Sequence, residues 1–265
     1  MRHLEDIDDL RKEGRDSELM PGQEQNAARM AHEILDDARH SGKEAIMLVC
    51  SSKKRGAQTA DLIADQIRHI DGKMKVRVSS EDGLVSLDQG EPALPEGYKP
   101  GDKFRGSSIA NNIFNHEAFE RGNDTYRFGD PVSLGNGDYK YPELSGYFKK
   151  YGESNKDLMM RVYELLIRMS AKVGKLEGKT KIVVVTHAQL YQVFKNLSEI
   201  AQEVEQGRLH VRTGEVPRLC WEVYQKRMKE GAPTYEANYV SVEELCNPGI
   251  VQLLRDELAY LKNLE

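Results

Sequence analysis

The sequence predicts an α/β protein, a three-layer α/β/α sandwich around a largely parallel sheet, and three features carry that prediction. The runs Ala45–Cys50 and Ile182–Val185 are short, apolar and without a polar break, the pattern of strands covered on both faces. The segments beside them repeat apolar residues at helical spacing, so strands alternate with helices. The chain has 265 residues and no internal repeat, enough for one large domain over 1–265 that buries its own core.

In chain order, Met1 to Leu10 is acidic after Arg2-His3, and Gly14 to Pro21 reads as a loop. Ala27, Ala31, Ile34, Leu35 and Ala38 mark a first helix, with Gly42 as its stop. After the Ala45–Cys50 strand, Leu62, Ile63, Ile67 and Ile70 share one face of a second helix that Asp71-Gly72 closes. Met74 to Val78 alternates like a strand. Gly83 to about Tyr151 is irregular and rich in Pro, Gly and aromatics, and within it 91–150 is predicted as a lid-like insert, with a helical patch at Ile109 to Arg121.

Ser154 and Asp157 have capping-box spacing at the head of a helix striped by Leu158, Val162, Leu165, Leu166, Met169 and Val173. Gly178 precedes the strand that ends in Thr186-His187. Leu190, Tyr191, Phe194, Leu197, Ile200, Ala201 and Val204 define the helix after it. Arg218 to Gln225 alternates through Leu219, Trp221 and Val223 and is predicted as a strand. Ser241 and Glu244 form another capping box. Asn247-Pro248 caps a last helix that packs Ile250, Leu253, Leu254, Leu258 and Leu261.

Apolar residues make up 39% of the chain and charged residues 31%, and the formal net charge is −5. That balance argues against nucleic acid or an anionic membrane as main partner. No apolar run approaches the roughly 20 residues that span a bilayer. Cys50, Cys220 and Cys246 are far apart and show no metal spacing, which favours a reduced, cytoplasmic setting.

His187 follows a strand end, where parallel α/β sheets bind ligands, although taken alone it reads equally as a hydrogen-bonded core histidine. Arg2, His3 and Arg55 share its chemistry. Two guanidiniums match and neutralise a phosphoryl dianion. An unprotonated imidazole can attack phosphorus, and a second, protonated one can stabilise the transferred oxygens. The order of motifs resembles the histidine phosphatase (phosphoglycerate mutase-like) superfamily. Arg2-His3-Leu4-Glu5 resembles its Arg-His-Gly-Glu, and Ser51 to Ala60, with Arg55, Gln58 and Thr59, resembles its Ser-Pro-x-x-Arg-x-x-Gln-Thr-Ala. Gly152-Glu153-Ser154 with Asp157 and Arg161-Val162 resembles its Gly-Glu-Ser-x-x-Asp-x-x-x-Arg-Val, and Val183 to Ala188 its Val-Val-Val-Ser-His-Gly.

The resemblance implies His3 as the phosphorylated nucleophile, Arg2 and Arg55 as the phosphoryl grip, His187 as a hydrogen-bond donor to that group, and Glu153 facing the substrate. It implies no metal and no cofactor. Ser86 stands where the family's carboxylic acid would be, and Asp88, two residues on, is the first substitute as proton donor to the leaving oxygen. Leu4 and Ala188 replace the glycines that follow the two histidines. Only Met1 precedes Arg2, so either the chain start is truncated or His3 is held by a frayed terminus. The expected function is metal-independent hydrolysis of a small phosphomonoester through a phosphohistidine. The alternatives are a phosphomutase or a catalytically weakened member that binds a phosphorylated ligand.

Overall fold

The computed structural model describes residues 19, 21–85, 91–92, 148–150, 155–176, 178–229 and 242–263. Its centre is a parallel sheet of β1 (Ala45–Ser51), β2 (Lys75–Glu81) and β5 (Thr180–Val185), with β1 in the middle. The register pairs Ser51 with Glu81 and Cys50 with Val185, so the three strands end level with one another.

Side-chain alternation along β1 and β5 builds the two helical layers. Ile46, Leu48, Cys50, Val183 and Val185 bury against α1 (Glu24–His40) and α2 (Lys54–Ile70). Val49, Ile182 and Val184 point the other way. They belong to the core cluster that holds α3 (Asn155–Val173), α4 (Ala188–Glu205), α5 (Val216–Lys229), α6 (Val242–Leu245) and α7 (Pro248–Lys262). This is the predicted α/β arrangement, with helices on both faces of a parallel sheet. The continuous apolar character of β5 follows from it, because both faces are covered.

The helical stripes predicted at α1, α2, α3, α4 and α7 are buried, with Leu62, Ile70, Val173, Val204, Leu253 and Leu258 partly so. α1 stops where Gly42 takes φ 66°, a left-handed turn that favours glycine. Asn247 caps α7 by accepting the Gly249 N–H at 2.9 Å, with Pro248 in the first turn. Lys181, almost fully buried, meets Asp37 of α1 at 2.8 Å and ties the start of β5 to the outer layer.

One prediction fails. Arg218 to Gln225 lies in helix α5, not in a strand. The alternation of Leu219, Trp221 and Val223 coincides with a stronger helical set: Val216, Leu219, Cys220 and Val223 recur at helical spacing and pack on the core. Pro217 in the first turn agrees with a helix start. Ser241 lies outside the described residues, and α6 begins at the next position.

Two short strands, β3 (Glu91–Pro92) and β4 (Phe148–Lys150), pair antiparallel with Glu91 opposite Lys150. They join the two ends of the predicted 91–150 insert. The helical patch expected at Ile109 to Arg121 lies outside the described residues. No described helix is long and apolar enough to cross a membrane.

Glu257 of α7 is fully buried and accepts the Gly214 N–H at 2.5 Å, facing the amides of Glu215 and Val216 at the head of α5. Gly214 has φ 89°, and a Cβ there would stand 3.0 Å from the Tyr260 ring. Burial pushes the Glu257 carboxyl up to about 7, against the opposing pull of those amides. Burial likewise raises the Cys220 thiol and the Tyr163 phenol. The Tyr163 hydroxyl and the second Glu257 oxygen have no hydrogen-bond partner among the described residues.

Candidate functional site

The helices that leave β1 and β5 go to opposite faces of the sheet, α2 to one layer and α4 to the other. Such a divergence opens a crevice beyond the carboxyl ends of the two strands, where α/β sheets bind ligands. Ser51 ends β1 at this point, and Thr186-His187 follows β5.

The turn from β1 into α2 is tight. Lys53 is extended and accepts the Gly56 and Ala57 N–H groups at 2.9 and 3.0 Å, which starts the helix. A Cβ on Gly56 would lie 2.9 Å from the Ser51 Cβ and 3.1 Å from the Ser51 carbonyl, so only glycine lets the helix return this close to the strand. Gly56→Ala should therefore destabilise the fold by about 1–3 kcal/mol. Urea denaturation would measure it, and an unchanged midpoint would contradict the close approach.

This geometry gives the Ser51–Ala60 spacing its meaning. The Thr59 hydroxyl donates to the Arg55 carbonyl at 2.7 Å, Ala60 fills the core, and the Gln58 side chain accepts the Leu19 N–H at 2.9 Å. Arg55, in the first turn, points across the crevice. Its Nε–H donates to Nδ1 of His187 at 3.1 Å, and on the other side of the ring Nε2 lies 2.9 Å from the Ser51 hydroxyl oxygen.

These two contacts assign the tautomer. A guanidinium Nε–H is always a donor, so Nδ1 must offer a lone pair. The single imidazole proton then sits on Nε2 and is donated to Ser51. His187 is neutral and 1% exposed, and Ser51 is 0% exposed. Where the sequence reading calls for a protonated second imidazole, the geometry holds one with a single proton. The same assignment speaks against Ser51 as an activated nucleophile, because the nitrogen facing it has no lone pair to take the serine proton.

The next loop is fastened to the same end of the sheet. The Thr186 hydroxyl donates to the Leu84 carbonyl at 2.8 Å. Arg161 of α3 donates to the Gly83 and Val85 carbonyls at 2.7 and 3.1 Å. Three successive carbonyls after β2 are thus held by side chains, one of them from the residue that precedes His187.

Arg55 is half-buried, and neither α2 nor α4 carries an acidic residue in its own first turn to offset the positive end of the helix. Among the described residues no group of three or more His, Cys, Asp or Glu is arranged to hold a metal ion.

Of the residues singled out in the sequence, Arg55 and His187 come together across 132 positions. Arg2, His3, Asp88 and Glu153 lie outside the described residues, as do Ser86 and Ser154. Ser51 and Thr186 had no assigned role. A hydroxyl at each strand end was visible in the sequence, but its partner was not. No protein-family model and no curated protein matches the chain.

Proposed function

We propose that the protein is a metal-independent phosphomonoester hydrolase working through a phosphohistidine at His3. The observation that supports it is the meeting of Arg55 and His187 at 3.1 Å at the strand ends. Arg2 and Arg55 grip the phosphoryl group, and bidentate guanidinium contacts neutralise its charge. A ring nitrogen of His3 attacks phosphorus as the ester P–O bond breaks. Asp88 gives its proton to the leaving oxygen, and His187 donates a hydrogen bond to the transferred group. Water then attacks the phosphohistidine, releases phosphate and restores His3. Glu153 contributes to substrate binding, and the substrate is a small phosphorylated molecule.

Transfer to a second hydroxyl in place of water would make the protein a phosphomutase. A further reading, a phosphorylated-ligand binder of weak activity, is favoured by Ser86 at the acid position. One experiment separates them. The unaltered protein should release phosphate from an aryl phosphate, form an acid-labile phosphoenzyme and keep its activity in chelator, and His3→Ala should abolish all three signals. Hydrolysis that survives His3→Ala would remove the nucleophile. A large loss in chelator would point to metal chemistry. Isomer formation without phosphate release would favour the mutase, and phosphate binding without turnover the binder.

A further inference from the structure

The two nitrogens of His187 sit in different surroundings. Nε2 faces inward to Ser51, which is fully enclosed and also accepts the Lys53 N–H at 3.2 Å. Nδ1 faces Arg55, which is only half-buried. We propose that Ser51 is a positioning residue that pins the inner nitrogen of His187, so that Nδ1, shared with Arg55 in the resting protein, takes up a proton and turns to a bound phosphate. This rests on the phosphoryl-site reading and deepens it by naming the nitrogen and the residue that sets it.

The physical reason is a conflict between donors. Arg55 Nε–H and a protonated Nδ1 cannot face each other, because both would be cationic donors with no acceptor between them. Arg55 therefore keeps His187 neutral while it stays on Nδ1. A phosphate binds a guanidinium best through the edge that includes Nε. When the anion takes that edge, the Arg55 hydrogen bond passes from Nδ1 to a phosphate oxygen, and the bared nitrogen lies beside negative charge. A proton from solvent adds to Nδ1, and the resulting N–H donates to the anion. No covalent bond changes apart from that one N–H, and at a pH where free phosphate is already the dianion one proton is taken from the buffer per phosphate bound.

Ser51 makes the exchange directional. The Ser51 oxygen accepts both the Nε2 proton and the Lys53 amide, so the ring cannot flip to offer Nε2 outward without leaving a buried donor unpaired. Removing the hydroxyl frees the ring to rotate and to populate the other tautomer.

The test is long-range proton–nitrogen NMR of the imidazoles in the unaltered protein, with and without inorganic phosphate. His187 is assigned among the seven histidines by the peak missing in His187→Gln. Without phosphate, Nδ1 should report as unprotonated and Nε2 as protonated. At saturating phosphate both should be protonated, and calorimetry in buffers of different ionisation heat should show uptake of about one proton. Ser51→Ala should mix the resting tautomers and weaken phosphate binding about tenfold, the scale of one lost buried hydrogen bond.

A resting Nδ1–H would overturn the proposal whether or not the variant folds. A bound phosphate with Nδ1 still bare would overturn it and leave the phosphatase reading standing. No effect of phosphate on His187 would overturn it as well. Phosphohistidine formation lost in His3→Ala depends on none of these signals, so the two ideas fail separately.

Discussion

Arg55→Lys is expected to lower kcat/KM for an aryl phosphate by about 10²–10³-fold, the scale of one lost transition-state donor. Lysine keeps the charge and loses the planar fork, and in Arg55 that fork serves two partners. Its Nε–H holds Nδ1 of His187 at 3.1 Å in the resting protein, and the same edge passes to a phosphoryl oxygen when the anion binds. A lysine ammonium at the same place could meet one of these groups but not orient both. The loss should appear chiefly in kcat, because the grip tightens as charge develops on the transferred oxygens. Steady-state kinetics with one good and one poor leaving group would measure it. A variant within twofold of the parent would take Arg55 out of the phosphoryl grip.

Glu257→Gln is expected to raise stability at pH 8 and to remove a pH dependence at lower pH. The folded carboxyl titrates near 7, against 4.5 for an ordinary glutamate, because burial disfavours its charged form. Between those two values the folded chain binds more protons than the unfolded one, so stability falls as pH rises. The contribution is fully present below about 4.5 and is lost as pH passes through about 7. At about 1.4 kcal/mol per unit, the change across the window is on the order of 3 kcal/mol.

Asp71 and Glu203 act in the opposite direction, but their carboxyls are held low by Arg39 and Arg208 and lose those contacts only at more acid pH. Glutamine keeps an oxygen for the Gly214 N–H and brings no charge into the space beside Tyr163 and Cys220. Denaturant melts of both proteins from pH 5 to pH 8 would show the difference. Parallel curves would mean that Glu257 is not the group responsible.

The layers of the fold were legible because they rest on local periodicity. β5 is an unbroken β-branched run, and α1, α2, α3, α4 and α7 carry stripes that ended up buried. Periodicity misled where two periods fitted one segment. Leu219 and Val223 belong to both an alternating and a helical set, and only contact with the α4 layer selected the helix. Of the site, Arg55 and His187 could be chosen from residue type and position after a strand. Arg2, His3, Asp88 and Glu153 remain sequence expectations.

By itself the sequence determined where β1, β5 and the helices other than α5 form and which residues carry charge, since both follow from side chains a few positions apart. Only the tertiary structure decided which nitrogen of His187 holds the proton, that Ser51 receives it, that Gly56 is the one residue small enough beside Ser51, and that Glu257 closes the head of α5. Those outcomes depend on donors and acceptors brought together from far apart in the chain. A hydrogen bond has a direction and a distance of about 3 Å that no local pattern encodes.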